Sequence, residues 1–427
     1  MNEQIKQRIT QLNNGEVPNG YEKTDFGIFP CDWVKDKTFG DLFDFYGGLG
    51  KSRDELGDEG HAYLHYGDLH RGAFNVVYHE QYEQLPKYDV ALQGTETYLM
   101  EDGDVAFLDA SEDLEGTSRA VLIDNPDNEP FIAGLHIIYG KSKNDSLDKW
   151  YKQYITLPES VRKQFQRLSV GFKVYGVNRE TLPKIQVAYP SSTDEQSKIA
   201  EILMKWDEAI ELQLRIIERT KLRRNSIVSN IFADSDEWVS HKLCDLCKTM
   251  GGGTPSTKNE LYWSGCIPWV SSSDLYEEDI HTLNISRYIS DAAMENSATH
   301  LIPSNSILLV SRVGLGKLVL TDTPVCTSQD FCNLYDISCN SYFLAYYLQN
   351  TLKKIIKEAQ GTSIKGLSGK EIQNIVIRLP DETLQNRIAN LLKKCDDSVR
   401  LEIEKLHVLT KQRKVLHQYL LNGIVRV

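Results

Sequence analysis

PSSTDEQSKIAEILMKWDEAI, residues 190–210, and PDETLQNRIANLLKKCDDSV, residues 380–399, decide how this chain is built, because the second is a diverged copy of the first. Gln196, Ile199, Ala200, Leu203 and Asp207 stand opposite Gln385, Ile388, Ala389, Leu392 and Asp396. Each segment opens a long helix-forming run. Thr193 and Gln196 have capping-box spacing behind Pro190, which ends the strand-like IQVAY. Apolar residues then recur at steps of three and four through Ile199, Ile202, Leu203, Trp206, Ile210, Leu214, Ile217, Leu222, Ile227 and Ile231, with no Pro or Gly between them. The second run repeats this from Ile388 through Leu391, Leu392, Val399, Ile403, Leu406, Leu409 and Leu416 to Leu420, just before Gly423. The spacing predicts helices over 194–232 and 381–422. At about 38 residues each would be about 57 Å long. The apolar stripe is narrow and flanked by charge (Glu211, Arg215, Glu218; Glu402, Lys405), which suits one long helical partner. The alternative is a helix packed on its own globular domain. Two such stripes in one chain favour each other as partners.

Outward from the helices, each half carries a head. Trp33-Val34 with Asp41-Leu42 answers Trp238-Val239 with Asp245-Leu246, glycines follow in both (Gly47, Gly48; Gly251 to Gly253), and Gly67-Asp68-Leu69 answers Ser273-Asp274-Leu275. The heads read as β-rich with irregular loops: alternation around YLHYGDL, then DVAFL, AVLI and GLHIIYG in the first, and CIPWVS, SILLVS and KLVLT in the second. A short helix over 2–13 precedes the first head.

The composition fits a two- or three-domain soluble protein: 427 residues, 41% apolar and 25% charged. The polar start MNEQIKQRIT lacks the apolar core of a signal peptide, so a cytoplasmic location with cysteines as thiols is expected. No apolar run reaches the ~20 residues of a membrane span. The net charge of -12 argues against a nucleic-acid binder that relies on bulk charge. The distribution is uneven. Residues 41–140 hold 21 acidic and 5 basic side chains, whereas 141–232 and 341–427 are basic.

Motifs for chemistry are scarce. Gly47-Gly48-Leu49-Gly50-Lys51-Ser52 imitates a phosphate loop, but the first required glycine falls at Phe45 and no apolar helix follows. Val313-Gly314-Leu315-Gly316-Lys317 reads as a turn between SILLVS and KLVLT. Cys244 and Cys247 form a C-x-x-C with no second pair at zinc spacing, so buried thiols are expected and no metal site. Methyltransferase, nuclease and HExxH signatures are absent from the sequence.

What remains are loops of small polar, glycine and basic residues. In the second head they hold Gly252, Thr254, Ser256 and Lys258; Ser272 and Ser273; Arg312 and Lys317; Ser328 and Gln329; and Thr362, Ser363 and Lys365. Such residues admit a phosphate to the backbone and offer donors to base edges. Arg312 and Gln329 suit guanine and adenine edges, and Lys258 a phosphate. Any one such loop could be an ordinary solvated turn, but five in one head point to a polar binding surface. The candidates for DNA contact in the first head are Lys51, Arg53, His65, Tyr66, Arg71, Arg119, Lys173 and Tyr175.

These residues resemble the specificity subunit of a Type I restriction-modification system. The resemblance is carried by GGGTPSTKNELYWSGCIPWVSSSDL (251–275), TSQDF (327–331), QGTSIKGLS (360–368), LPDETLQNRIANLL (379–392), the tail LLNGIVRV, and in the first half DGDVAFLDASEDLEG (102–116) and AGLHIIYG (133–140). It implies an α+β protein with two pseudo-twofold-related target-recognition domains, β-rich with short helices, separated by two long antiparallel helices in a coiled coil. The expected boundaries are an N-terminal helix at 1–20 completing the helical repeat, recognition domains at 21–190 and 233–379, and long helices at 191–232 and 380–427. It implies no chemistry of its own: S-adenosylmethionine, ATP and magnesium belong on partner subunits. The implied partners are split-target double-stranded DNA, two modification subunits and restriction subunits. Gln196, Ile199, Trp206, Gln385, Ile388 and Leu392 are the expected partner-docking residues. The acidic first head departs from what a DNA reader should look like. Two alternatives stay open: a degenerate fused restriction-modification enzyme, and an orphan DNA-binding or scaffold protein.

Overall fold

The computed structural model describes residues 3–70, 76–89, 96–111, 119–168, 175–233, 237–358 and 366–427. The chain divides into two compact units, Met1–Leu212 with His407–Val427 and Gln213–Leu406, so both divisions fall inside long helices. Those helices run over Thr193–Ala233 and Glu382–Leu421, within a residue of the predicted ends. A stripe free of breakers leaves little freedom for where a helix stops. Asp381 starts the second by accepting the Leu384 N–H at 3.0 Å, and Gly423, at φ +68°, ends it in the left-handed conformation that glycine adopts without strain.

The expected capping box at Thr193 does not form. The Gln196 amide turns into the head, accepting the Asp148 N–H at 2.7 Å and donating to the Ser146 and Pro190 carbonyls at 2.9 Å. Its repeat, Gln385, accepts the Asn340 N–H at 3.0 Å and donates to the Pro380 carbonyl at 2.9 Å. The repeated glutamine is a clamp between helix and head.

Both readings of the stripes hold, in different stretches. At their ends the helices belong to the head cores: Ile199, Ala200, Leu203, Leu420 and Leu421 pack with Phe39, Phe165 and Val187, while Val228, Phe232, Ile388 and Leu392 pack with Phe343, Leu348 and Ile377. Along their lengths the helices pair antiparallel. In the first unit Arg413 meets Asp207 at 2.5 Å, and Tyr154 donates to the same carboxylate at 2.8 Å. In the second, Arg224 meets Asp396 at 2.8 Å, Tyr346 donates to it at 2.6 Å, and His281 lies 2.9 Å away. Gln213 and Glu402, equivalent at the repeat offset of 189 residues, bond to each other at 2.8 Å. Burial would raise Asp396, but the hydrogen bonds from His281 and Arg224 hold its carboxyl below the usual value.

The heads share one topology. In the first, a sheet runs in the order Phe43–Gly47, Ile137–Ser142, Val105–Leu108, Ala120–Asp124 and Val76–Tyr78. In the second the order is Lys248–Gly251, Phe331–Tyr335, Ser306–Val310 and Leu318–Thr321, with no counterpart of the last edge strand among the described residues. Each head has a second, smaller sheet around a parallel pair: His61–Leu64 beside Phe131–Ala133, and Ile267–Val270 beside Val325–Thr327. The matched Asp41 and Asp245 serve one purpose, accepting the N–H of Thr38 and Lys242 at the start of a four-residue helix.

Three expectations change. The alternation in YLHYGDL stops at Leu64, and Tyr66–His70 coils into a short helix because Asp68 N–H returns to the His65 carbonyl at 2.9 Å. Cys247 is buried, which pushes its thiol up to about 12, but Cys244 is exposed. The acidity of the first head is met in part by cations from outside residues 41–140. Lys141 pairs with Glu101 at 2.6 Å, and Lys149 with Asp102 and Asp124 at 2.7 and 2.6 Å. These cations come from just beyond residue 140, in the adjoining basic stretch.

Candidate nucleic-acid interface

The diglycines mark where the chain leaves the larger sheet and crosses the parallel pair. A Cβ on Gly48 would lie 1.8 Å from the Gly134 carbonyl oxygen, and one on Gly252 2.1 Å from that of Ser328, so neither position tolerates a side chain. The phosphate-loop likeness at Gly47–Ser52 has this packing cause. From the crossing onward the backbones correspond bond for bond. Leu49 N–H donates to the Ala133 carbonyl at 2.7 Å, as Gly253 N–H does to Thr327 at 2.8 Å. Tyr63 Oη donates to the Leu49 carbonyl at 2.6 Å, as Trp269 Nε1 does to Gly253 at 3.0 Å. Asp109 N–H reaches the His136 carbonyl at 3.1 Å, as Ser311 N–H reaches Asp330 at 2.7 Å.

This frame gathers the described candidate loops of the second head at one edge of its sheets. Thr254 bonds Gln329, Gly252 abuts Ser328, and Ser328 N–H donates to Val270 at 2.9 Å. Leu367 N–H, which follows the last candidate loop, donates to Ser311 at 2.8 Å. Ser256, Lys258, Ser273, Arg312 and Gln329 are exposed there, and Ser272 is half-buried. The Lys258 and Arg312 side chains take no partner among the described residues. Two candidates serve structure instead. Ser328 is buried, and Lys317 braces a turn by donating to the Leu275 carbonyl at 3.2 Å.

The first head keeps the frame and changes its side chains. His65 is buried, and its Nδ1 accepts the Gly67 N–H at 3.1 Å; burial holds the ring below its ordinary pKa. Tyr66 is exposed and lies 4.5 Å from the His65 ring and 5.3 Å from that of His136, at right angles to the latter. The basic candidates are engaged: Lys51 bonds Glu55 at 2.9 Å and lies over the Tyr88 ring, and Arg53 reaches Asp68 at 3.4 Å. Arg119 is half-buried beside the end of Val105–Leu108, where Leu108 N–H meets its carbonyl at 3.4 Å. Tyr175 sits in a two-residue strand paired with Ser111. Arg71, Lys173, Thr362, Ser363 and Lys365 lie outside the described residues.

The docking residues are placed differently from expectation. Gln196, Ile199, Gln385, Ile388 and Leu392 are buried in their own units, where the clamps and head cores occupy them, and only Trp206 is partly exposed. The exposed apolar residues of the helices are others: Leu212, Leu214, Ile216 and Leu222, then Leu391, Leu401, Ile403, Val408 and Val415. Among the described residues no group of three or more His, Cys, Asp or Glu is placed to hold a metal ion, and no helix is long and apolar enough to cross a membrane.

Residues 32–221 and 235–411 each match the Type I restriction modification DNA specificity domain. The chain therefore belongs to that family and carries two copies of the domain. It is 30% identical over 179 residues to the Type I restriction enzyme MjaIX specificity subunit of Methanocaldococcus jannaschii, an alignment spanning 41% of each chain. It is 27% identical over 256 residues to the EcoR124I/EcoR124II specificity subunit of Escherichia coli, spanning 55% of this chain and 61% of that one. The chain thus spans about two fifths and three fifths of these two relatives. With the putative MjaX specificity subunit of M. jannaschii, 21% identity extends over 95% of this chain and 97% of that one. In fold it is similar to the S subunit of a Type I system from M. genitalium, at a TM-score of 0.53 and 15% identity over 95% of this chain and 98% of that one. It is also similar to a chain from work on complex assembly and conformational transition of the type I system, at a TM-score of 0.63 and 15% identity over 96% of this chain and all of that one.

Proposed function

We propose that this chain reads a split double-stranded DNA target in the cytoplasm, one half-site per head, and that its paired helices set the spacer. The observation that carries this is the shared frame: the same backbone bonds hold equivalent loops at one edge of each head, and the loops carry unlike side chains. Two such readers in one chain call for two different half-sites. Two modification subunits dock along the exposed apolar positions Leu212, Leu214, Leu222, Leu401, Ile403 and Val408 and bring S-adenosylmethionine. Restriction subunits bring ATP and magnesium. The isolated chain neither methylates nor cuts DNA, and incubation with labelled cofactor and plasmid checks it; turnover above a buffer control defeats it.

The deciding experiment maps methylated adenines genome-wide with and without the chain. A two-part motif that depends on it supports the reading; an unchanged methylome overturns it. The spacer is tested by lengthening the helices. An insertion beside Arg224 would disturb its tie to Asp396. Matched four-residue insertions after Arg215 and Glu404, between the two ion pairs, add about 6 Å, so the same half-sites are expected with a spacer about one or two base pairs longer. Altered half-sites with the old spacer would mean that the helices read bases.

A further inference from the structure

Asp109 and His136, with their equivalents Ser311 and Asp330, stand at the loop edge of each head, and the sequence did not single out the first two as sites. His136 is in the left-handed region at φ +61°, which few non-glycine residues adopt. Its Nδ1 lies 2.9 Å from Asp109 Oδ1, and Tyr66 packs edge-on against its ring. A carboxylate only accepts hydrogen bonds, so Nδ1 carries the proton, and in the imidazole form of the ring Nε2 is the acceptor. The side chain is 44% exposed, so that acceptor is available to a ligand. At the same frame position the second head has Asp330. Its carbonyl takes the Ser311 N–H, while its half-buried carboxylate has no partner among the described residues. A carboxylate brought against DNA is repelled by phosphates unless it takes a hydrogen from a base.

We infer that His136 and Asp330 are specificity-determining residues, each presenting an acceptor to an exocyclic amino group in the major groove, adenine N6 or cytosine N4. Asp109 is a positioning residue that fixes the tautomer and orientation of His136. Two unlike side chains thereby present the same hydrogen-bonding sign from one backbone position, and the neighbours decide the rest: Tyr66 and His65 in the first head, Ser272 and Ser271 in the second. The inference rests on the DNA-reading function proposed above.

The test is methylome mapping of the complete system carrying His136→Asn, His136→Ala or Asp330→Ala. His136→Asn is expected to relax one base pair of a single half-site, with methylation at sites differing only there rising about tenfold relative to the intact site. The other half-site and the spacer stay as they were. Asp330→Ala does the same in the opposite half. Should His136→Ala fail to fold, His136→Asn still decides, because Asn tolerates the left-handed backbone. Unchanged motifs in these variants, or equal relaxation of both halves by one substitution, overturn the inference while the wild-type two-part motif keeps the underlying reading intact. A wild-type chain without any dependent two-part motif removes that reading, and this inference with it.

Discussion

In the first unit Tyr154 and Arg413 meet at Asp207, and in the second Tyr346 and Arg224 meet at Asp396 with His281 added. The same residue types hold helix to helix and helix to head in both, whereas at the loop edges His65, Tyr66, Asp109 and His136 are exchanged for Ser271, Ser272, Ser311 and Asp330. Repetition has kept the joints and released the edges. The joints are not equal, however. The side chains of Arg224 and Asp396 are 6% and 14% exposed, against 24% and 20% for Arg413 and Asp207.

That inequality gives the largest expected effect. Asp396→Ala leaves a buried guanidinium without its carboxylate and should destabilise the second unit by about 3–5 kcal/mol. Asp207→Ala, in a wetter joint, should cost the first about 1–3 kcal/mol. Hydrogen exchange resolved by unit checks both, and equal losses would erase the difference between the joints.

A second contrast is His417, which stands where the repeat offset places Val228. Burial, and then the nearby Arg413 charge, push its imidazole down to about 4. The folded pKa lies below the unfolded value near 6.5, so the unfolded chain binds the proton first. The contribution to stability is whole above about pH 6.5 and is lost as pH falls toward 4, at most about 3 kcal/mol. Asp104 opposes it: burial pushes that carboxyl up to about 7, the folded form holds the proton, and acidification favours folding. The difference between His417→Val and the parent therefore isolates the histidine. It should widen in favour of the variant from pH 6.5 down to 4 in urea melts, and a difference independent of pH would rule this out.

The smallest effects compare the edges. Arg312→Ala or Gln329→Ala should cost about 1–3 kcal/mol of affinity for one half-site if a bidentate base contact is lost. Lys258→Ala should weaken all duplexes alike. Lys51→Ala and Arg53→Ala should change affinity least, because Glu55 and Asp68 already hold those charges. Titration against duplexes at fixed salt measures all five, and a Lys51 effect as large as that of Lys258 would break the contrast.

The long helices were legible because a 3.6-residue stripe without Pro or Gly has one solution, and the repeat was legible because its joints are made of recognisable residues. The helix Ser341–Glu358 was not, since Phe343, Leu344, Ala345, Tyr346, Tyr347 and Leu348 are all buried and leave no polar face to give a period. Gln196 could not be told from a capping residue until the head it clamps was in place. At the edge, polar composition pointed to the second head's loops, but it also drew in Lys317 and buried Ser328 and passed over Asp109 and His136 of the first head. A signal for these existed: each residue pair follows or precedes a matched strand, DVAFL with SILLV and IIYG with FCNL, and aligning the heads strand by strand would have placed them together.

The units divide within both helices, so the second is a single run, Gln213–Leu406, enclosed in the sequence of a first unit made of two pieces. The last piece brings Leu420 and Leu421 into the first unit's core and Arg426 to Asp32 at 2.8 Å and to Glu195. On the ribosome, the half that begins first is therefore the half that finishes last. The first head emerges and waits through the synthesis of the entire second unit before its closing helix arrives, exposed throughout that interval to chaperones and proteases, while its later-made neighbour already has all its pieces.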